Sequence, residues 1–385
     1  MKEGWEIKKL GEVCETSSGG TPSKTHKEYY EDGKIPWLRS GEISQGLIYD
    51  SELYITEEGV RNSSAKLFPV NTVLIAMYGA TVGQVGILKK EMATNQAVCG
   101  IMPNPLLNPM FLMLYLKSQR NNFLGLAAGG AQPNISQTII KNYPIPIPPL
   151  PTQERIVSEL DCINSIIEKK REQLKELDAL AQSIFYDMFG DPIQNEKGWE
   201  VRKLGEVGEL ARGVSKHRPR NAPELLGGAT PLIQTGDVSN SGMYIHKYNS
   251  TYSELGLSQS RLWPSGTLCI TIAATIGKCS ILTFDACFPD SVVGFIVDER
   301  YTCNEYIYYI FGDLQKILED NAPAVAQKNI NLQVLNNLSI PLPPLSLQQS
   351  FASKIEAIEK QKELIKRSIA ETETLLASRM QYYFG

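Results

Sequence analysis

Histidine, paired cysteines and long apolar runs are scarce in this sequence. The 385 residues include three histidines and seven cysteines, and no two cysteines form a Cys-x-x-Cys pair. An odd number of widely separated cysteines argues against a disulfide framework or a zinc site, so we expect reduced thiols and no bound metal. The most apolar stretch, residues 98–116, is interrupted by Pro103, Pro105 and Pro109. These prolines argue against a transmembrane helix, which needs about 20 apolar residues.

The motifs of nucleotide-binding and catalytic proteins are missing as well. Residues 1–6 have no apolar core, so we expect no signal peptide and a cytoplasmic protein. The sequence has no Gly-x4-Gly-Lys-Ser/Thr loop, no Gly-x-Gly-x-x-Gly and no Asn-Pro-Pro or Asp-Pro-Pro motif. Pro289-Asp290 with the later Asp298-Glu299-Arg300 resembles part of a nuclease carboxylate set, but the last position is Arg rather than Lys. We therefore expect no catalytic residue in this chain.

The charge is close to balanced over the whole chain. The 38 Lys and Arg residues against 42 Asp and Glu residues give a net charge of −4. Residues 1–151 carry 14 basic and 13 acidic groups, and residues 191–346 carry 13 and 16. Neither part has the strongly basic composition of many nucleic-acid-binding domains. Any contact with nucleic acid must therefore come from a local patch of positive charge.

The sequence is a tandem repeat. Residues 5–13, Trp-Glu-Ile-Lys-Lys-Leu-Gly-Glu-Val, recur as residues 199–207, Trp-Glu-Val-Arg-Lys-Leu-Gly-Glu-Val, at an offset of 194. Residues 80–83 recur at 274–277 with the same offset, and residues 145–150 recur at 340–345 with an offset of 195. Because the offset drifts by only one residue, we predict two copies of one structural unit.

Each copy begins with a globular part of the α+β class. Residues 73–78 and 267–272 are short apolar runs typical of strands, and residues 109–116 and 304–311 predict short helices, the second with Asn304 as N-cap. Proline-rich strips at residues 144–151 and 341–344 predict extended connectors, or alternatively peptide-recognition ligands. We predict globular domains at residues 1–151 and 191–346, each followed by a long helix, at residues 152–190 and 347–385.

Both long helices carry an apolar seam with heptad spacing. Apolar residues step by four and three, and Lys170, Lys362 and Thr372 occupy slots in the pattern. The seam predicts that the helices pair as an antiparallel coiled coil with pseudo-two-fold symmetry; alternatively, each helix packs on its own domain. Apolar residues beside the seam, such as Ile166 and Leu180, suggest a further helix from a partner chain. The seam residues are Ile156, Leu160, Ile163, Ile167, Leu174, Leu177 and Ile184, then Ile355, Ile358, Ile365, Ile369 and Leu376.

Two pairs of loops carry the candidate contacts to DNA. Residues 212–220 hold four cations and no acid, suited to phosphates or guanine edges, whereas the matching loop of the first copy is small and polar. The polar turns at residues 129–136 and 324–331 offer amides that can pair with adenine, although such residues also close turns. A solvated loop is the alternative for residues 212–220. The candidate DNA-binding residues are Lys24, Lys27, Arg39, Gln132, Asn134, Arg212, Lys216, Arg218, Arg220, Lys278, Gln327, Lys328 and Asn329.

Short motifs follow one another in a set order along the chain. They are Gly-Trp-Glu-x-x-x-Leu-Gly-Glu-Val, Gly-Gly-Thr-Pro-Ser, Ile-Pro-Trp, Gly-Ala-Thr-Val-Gly, Thr-Asn-Gln-Ala-Val, Gln-Pro-Asn-Ile-Ser, Pro-x-Pro-Pro-Leu-x-x-Gln-Glu and Phe-Gly-Asp-Pro. This order strongly resembles the specificity (S) subunit of type I restriction-modification systems. The second copy departs from it, with Gly213-Val214-Ser215-Lys216-His217 in place of Gly-Gly-Thr-Pro-Ser and Pro289-Asp290 in place of Asn95-Gln96.

The resemblance implies a non-catalytic subunit with two target recognition domains. Each domain would read one half of a bipartite, asymmetric site in double-stranded DNA, and the paired helices would set the half-site separation. Two modification subunits would bring S-adenosylmethionine for adenine-N6 methylation, and restriction subunits would bring ATP and Mg²⁺ for translocation and cleavage. This chain would hold no cofactor itself and would not contact a membrane.

Three alternatives remain open on the sequence alone. The chain could be a coiled-coil protein scaffold without a DNA role, the recognition partner of a different restriction-methyltransferase system, or a silent, shuffled gene copy. The two copies differ most at residues 20–35 and 44–66 against 214–230 and 239–260. We therefore expect these segments to face DNA and the two half-sites to differ.

Overall fold

The chain folds into two compact units. The computed structural model describes residues 5–128, 133–273, 275–320 and 330–385. Unit 1 comprises Met1–Lys170 together with Ser368–Gly385, and unit 2 comprises Arg171–Arg367. Each unit therefore contains one globular domain and one part of each of the two long helices.

Unit 1 contains three sheets. A five-stranded sheet has the order Thr16–Ser18, Val98–Ile101, Val73–Ala76, Val85–Leu88 and Leu47–Ile48. A four-stranded sheet has the order Tyr54–Ile55, Ile35–Leu38, Met92–Thr94 and Leu67–Phe68. In a third sheet, Glu6–Lys9 pairs antiparallel with the proline-rich strand Pro144–Ile147. The proline-rich strip is thus an extended strand of the domain.

Unit 2 repeats this arrangement strand for strand. Its five-stranded sheet has the order Gly208–Arg212, Val292–Val297, Leu268–Thr271, Cys279–Leu282 and Tyr244–Ile245. Its four-stranded sheet has the order Ser250–Tyr252, Leu226–Leu232, Ala286–Cys287 and Leu262–Trp263. Glu200–Lys203 pairs antiparallel with Ser339–Leu342. The sequence repeat is therefore a repeat of the fold.

Helices connect the strands of both units. The α-helices of unit 1 are Leu10–Val13, Glu57–Arg61, Pro109–Ser118, Arg120–Leu126 and Gln137–Asn142, and its 3₁₀ helices are Lys27–Tyr29, Ser40–Gln45 and Gly79–Thr81. The α-helices of unit 2 are Thr235–Asn240, Glu254–Ser258, Asn304–Asp320 and Leu332–Asn336, and its 3₁₀ helices are Leu204–Glu206 and Pro223–Leu225. The two long helices are Leu150–Phe189 and Leu345–Phe384, each of 40 residues.

The five-stranded sheet of unit 1 is buried on both faces, which explains why its central strands are continuously apolar. Along Val73–Ala76, Val73 and Ile75 join the cluster that contains the helices, whereas Leu74 and Ala76 join the cluster that contains Phe68 of the four-stranded sheet. Alternate side chains of a strand point to opposite faces, so one sheet separates two cores. The same division occurs along Leu268–Thr271 in unit 2.

One glycine in each unit allows the two sheets to approach closely. A Cβ on Gly100 would lie 2.3 Å from the ring of Phe68, and a Cβ on Gly294 would lie 2.5 Å from the ring of Trp263. Phe68 and Trp263 occupy matching positions in the repeat and are both fully buried. The glycine thus provides the space into which the aromatic ring packs.

The long helices pair antiparallel within each unit. In unit 1, Lys170 Nζ donates to Ser368 Oγ at 2.6 Å and to Thr372 Oγ1 at 3.0 Å, and Glu159 pairs with Arg379 at 2.8 Å. The earlier residue of the first helix therefore contacts the later residue of the second. The predicted α+β fold with an antiparallel pair of long helices is confirmed.

In unit 2, a largely buried lysine of the seam pairs with two carboxylates. Lys362 Nζ lies 2.6 Å from Asp178 Oδ1 and 2.5 Å from Glu359 Oε1, and its side chain is only 13% exposed. The neighbouring carboxylates raise the pKa of the Lys362 ammonium group against the effect of desolvation by burial. Polar groups at seam positions favour one register of the two helices over others.

The ends of the long helices also belong to the cores of the domains. Ile156, Leu160 and Phe384 are part of the core of unit 1, and Phe185 and Phe189 are part of the core of unit 2. The alternative that each helix packs on its own domain is therefore correct for the start of the first helix, at Ile156 and Leu160, whereas the ends at Phe189 and Phe384 pack on the domain of the other copy. Sequence reasoning missed Phe185 and Phe189.

Three predicted details differ in the structure. Ile184 is only partly buried, like the seam residues Leu174, Leu177, Ile365, Ile369 and Leu376, whereas the fully buried positions near the end of the first helix step by four through Ala181, Phe185 and Phe189. Asn304 does not cap its helix, since its side-chain nitrogen donates to Gly266 O and its oxygen has no hydrogen-bond partner. The long helices begin two residues earlier than predicted, at Leu150 and Leu345.

Across the described part of the chain, no helix combines the length and the apolar character that a membrane span requires.

The close approach at Gly294 predicts that Gly294→Ala destabilises unit 2. The added methyl group collides with the buried Trp263 ring, and overpacking of this kind costs about 1–3 kcal/mol of the free energy of unfolding. The midpoint of thermal unfolding, followed by circular dichroism, should fall. The matched control is Gly236→Ala at an exposed position of a helix, where a Cβ meets nothing within 4 Å. Equal midpoints for the two variants would contradict this packing.

Candidate nucleic-acid interface

The loop that carries the candidate cations of unit 2 is anchored by a close backbone approach. It follows the strand Gly208–Arg212, and Gly213 N donates to Val292 O at 2.9 Å. A Cβ on Gly213 would lie 2.2 Å from Phe288 O and 2.4 Å from Pro289 O. Only glycine therefore allows the loop to start directly against the turn that contains Asp290.

Two arginines of this loop share one carboxylate. Arg220 Nη2 lies 2.6 Å from Asp290 Oδ1 and 2.8 Å from Oδ2, and Arg218 Nη2 lies 3.7 Å from Oδ2. Arg218 Nη1 also donates to the backbone oxygens of Ser215 at 2.5 Å and His217 at 2.8 Å. The side chains of Arg218, Arg220 and Asp290 remain 56%, 45% and 36% exposed. We call these three side chains the arginine–aspartate cluster.

The other two cations of residues 212–220, Arg212 and Lys216, form hydrogen bonds with residues other than Asp290. Lys216 is exposed, and its backbone N–H donates to Gln259 Oε1 at 2.6 Å. Arg212 is half-buried and donates to Ile330 O at 3.5 Å. The four cations of residues 212–220 therefore do not form one patch. Only Arg218 and Arg220 share a partner. Asp290 was not identified as that partner from the sequence. One signal was available, because the second copy has an acid at Asp290 where the first copy has the neutral Gln96.

The matching loop of unit 1 has the same anchor and a different chemistry. A Cβ on Gly19 would lie 2.3 Å from Thr94 O and 2.5 Å from Asn95 O. Gln96 occupies the position of Asp290, and its Oε1 accepts a hydrogen bond from Thr21 Oγ1. Lys24 and Lys27 are exposed further along the loop. A neutral pair therefore replaces the arginine–aspartate cluster.

Arg39 lies in unit 1 between two carboxylates. Its Nη2 is 2.6 Å from Glu52 Oε2, and its Nε is 3.6 Å from Glu42 Oε1. Glu42 is buried and also accepts hydrogen bonds from Ser51 Oγ and the backbone N–H of Glu52. The charge of Arg39 is thus balanced within the domain.

The polar turn of unit 1 adjoins one end of the central strand of the five-stranded sheet. Ile135 N donates to Met77 O at 2.9 Å, Gly79 N donates to Pro133 O at 2.9 Å, and Asn134 pairs through its backbone with Ala128. Asn134 is therefore placed beside the end of the strand Val73–Ala76. The other candidates in these turns, Gln132, Gln327, Lys328 and Asn329, lie outside the described residues.

Lys278 lies on the side of unit 2 that faces the long helices. With Asp178, Tyr308, Glu359 and Lys362 it lines a cavity of about 220 Å³. None of the residues of the arginine–aspartate cluster lines this cavity. The structure thus places Lys278, a candidate DNA-binding residue, apart from the arginine–aspartate cluster.

Among the residues that the structure describes, no group of three His, Cys, Asp or Glu side chains is placed to hold a metal ion. Burial raises the pKa of the thiols of Cys14 and Cys303 to about 11 and of Cys99 and Cys279 to about 12. Their thiolate forms, which would bind a metal or attack a substrate, are therefore disfavoured at neutral pH.

Comparison with known proteins decides the family. The family described as type I restriction modification DNA specificity domain matches residues 2–178 and again residues 196–374. The chain belongs to this family. The resemblance noted in the sequence is thereby confirmed for both copies.

Relatives of this specificity-domain chain match either nearly its whole length or about half of it. The MjaIX specificity subunit of a type I restriction enzyme from Methanocaldococcus jannaschii is 30% identical over 379 residues, covering 92% of this chain and 86% of the relative. The EcoR124I/EcoR124II specificity subunit from Escherichia coli is 32% identical over 180 residues, covering 45% of each protein.

Solved structures share the fold of this specificity-domain chain. The S subunit of a type I restriction-modification system from M. genitalium matches with a TM-score of 0.61 and 15% identity, covering 100% of this chain and 98% of that one. A chain from a study of complex assembly and conformational transition in the type I R-M system matches with a TM-score of 0.65 and 21% identity, covering 100% and 97%.

Thiol burial gives a prediction for all seven cysteines. Cys162 is exposed on the first long helix, whereas burial raises the thiol pKa of the other six. A thiol reagent such as Ellman's reagent at pH 8 should therefore modify one cysteine of the native chain rapidly and all seven after denaturation. Cys162→Ser should abolish the rapid phase. Rapid modification of two or more cysteines in the native chain would contradict the burial described above.

Proposed function

We propose that this chain is the DNA-recognition subunit of a type I restriction-modification complex and reads a bipartite, asymmetric site in double-stranded DNA, one half with each unit. The observation that carries this proposal is the double match to one DNA specificity family, on two units with the same order of strands. The M. jannaschii relative that matches 92% of this chain is named a specificity subunit. In this function the chain supplies recognition, and its partners supply the chemistry.

The two half-sites differ in this proposal because the loops differ while the sheets do not. The loop of unit 2 presents Arg218 and Arg220 with Asp290, and the matching loop of unit 1 presents Thr21 with Gln96. Arginine favours phosphates and guanine, whereas an amide such as Gln96 favours adenine. Different groups on equivalent positions of one scaffold select different base sequences.

The partners in this proposal are two modification subunits and the restriction subunits, in a cytoplasmic complex. The modification subunits bring S-adenosylmethionine for adenine-N6 methylation, and the restriction subunits bring ATP and Mg²⁺. Exposed apolar side chains on the long helices support docking of partner chains. In unit 1 they include Ile166 and Leu375, 40% and 48% exposed, and in unit 2 Leu180 and Leu364, 49% and 56% exposed.

The position of Ile166 and Leu375 within unit 1 supports one shared contact surface. Ile166 precedes Lys170 by four residues, and Leu375 follows Thr372, which Lys170 contacts, by three residues. Because the helices are antiparallel there, the two apolar side chains lie at a similar level along the pair. Cys162 is one helical turn before Ile166 and is also exposed, so a thiol label at Cys162 reports whether a modification subunit covers this surface.

Removal of both arginines of unit 2 tests the DNA-binding role. In the complex with modification subunits, Arg218→Ala with Arg220→Ala should weaken binding to a duplex that carries the methylated motif of the complex. It should also reduce the slope of log K against log salt by about 0.9 for each DNA phosphate that the arginines no longer neutralise. Fluorescence anisotropy over a range of KCl concentrations measures both quantities.

The matched control removes two arginines from another surface of unit 2. Arg202 and Arg300 both contact the ring of Tyr301, away from the loop. Arg202→Ala with Arg300→Ala should leave the salt slope unchanged. If the loop variant keeps the wild-type slope, the loop is not part of the DNA interface. If the wild-type complex does not bind duplex DNA at all, the chain is a protein scaffold rather than a recognition subunit.

A further inference from the structure

The arginine–aspartate cluster pairs two cations with an acid on the surface proposed to bind DNA. A free carboxylate repels the phosphate backbone, so an acid at this place needs an explanation beyond general charge balance. Asp290 adjoins the anchored base of the loop, since the loop begins at Gly213 against Phe288 and Pro289. Its position is fixed by the backbone rather than by the ion pair alone.

The geometry of the cluster imitates the binding of a phosphate group. Both oxygens of Asp290 lie within 2.8 Å of Arg220 Nη2, and Oδ2 also faces Arg218 at 3.7 Å. Arginine forms the same kind of contact with phosphate oxygens. A backbone phosphate that used either arginine would therefore have to displace Asp290 or share its partner.

The acid at the position of Asp290 is present in only one of the two copies. In unit 1 the same turn carries the neutral Gln96, and it faces Thr21 rather than a cation. The acid therefore occurs in the unit whose loop presents paired arginines. This correlation within one chain indicates that the charge of Asp290 belongs to the arginine pair and not to the scaffold, which both units share.

We infer that Asp290 is an intramolecular competitor that DNA phosphate must displace to reach Arg218 and Arg220. On DNA of unrelated sequence, the arginines keep Asp290 and contribute little to binding. At the correct half-site, the remaining contacts of the complex hold the backbone close enough for phosphate to take its place. Asp290 thereby lowers the affinity of the complex for DNA, and it does so at least as much for the recognised site, where the ion pair is lost, as for unrelated sequences. This inference rests on the proposed function.

The test replaces Asp290 with the residue of the other copy. In the complex with modification subunits, Asp290→Gln should tighten binding to a duplex of shuffled sequence about three- to tenfold. The slope of log K against log salt on that duplex should become steeper by about 0.9, the value for one further neutralised phosphate. Binding to a duplex with the methylated motif of the complex should tighten at least as much, because phosphate there no longer has to break the ion pair with Asp290.

Two further variants isolate the effect. Asp290→Gln with Arg220→Gln should return the shuffled-duplex affinity and salt slope toward the wild-type values. Glu299→Gln removes the same charge from an exposed turn of unit 2 and should change the affinity by about twofold at most, because distant surface charges are screened by salt. Equal melting temperatures of the variants show that each is folded.

Each contrary result has its own meaning. Unchanged binding of Asp290→Gln to both duplexes would overturn the inference, and so would weaker binding to both duplexes, which would show that Asp290 only supports the shape of the loop. Lost binding to the methylated motif with unchanged binding to the shuffled duplex would show that Asp290 contacts a base, which also overturns it. If the wild-type complex itself prefers neither duplex, the proposed function fails instead.

Discussion

The rest of the structure depends on aromatic side chains at the ends of the long helices, which complete the core of each unit. In unit 1, Tyr383 and Phe384 at the end of the second long helix are buried, and the Phe384 ring lies 5.5 Å from that of Phe111. In unit 2, Phe185 and Phe189 at the end of the first long helix are buried against aromatic rings of the domain. Burial of each such ring stabilises the fold by about 1.5–3 kcal/mol. Each core thus contains residues from both copies of the repeat, and neither copy is complete by itself.

The long helices pack on one face of the five-stranded sheet in each unit, and the loops with the candidate contacts adjoin the core on its other face. The five-stranded sheet separates the core that contains the long helices from the core beneath the four-stranded sheet. The loops with the candidate contacts start from the strand that precedes Gly19 or Gly213, where both units use the same close backbone approach. A fixed base with exchangeable side chains explains how two units of one fold can select different ligands.

The sequence predicted the features that recur at regular spacing. The offset of 194 residues indicated the repeated fold, and the seam indicated the antiparallel helices with their polar positions at Lys170 and Lys362. The seam ended differently, at Phe185 rather than Ile184, because the helix packs there on a domain and no longer follows the heptad spacing of a helix pair. That change depends on tertiary contacts, which periodicity does not show.

The candidate site was less predictable. Arg218 and Arg220 were found because they lie two residues apart in a run without acids. Their partner Asp290 is 70 residues beyond Arg220 and reaches it only through the pairing of strands. The same loop looked like a single patch of four cations, whereas the fold directs Arg212 toward Ile330. Local sequence therefore identified the charged groups, and the three-dimensional structure showed which of them act together.

The central claim is that this chain selects a bipartite DNA site with one half assigned to each unit. Sequencing of methylated adenines in cells tests it most directly, in cells with this chain, without it, and with residues 19–66 replaced by those of another family member. We expect a bipartite methylated motif only when the chain is present, and a change in one half of that motif with the replacement. The same motif without the chain, or a replacement that alters both halves or neither, would contradict the account.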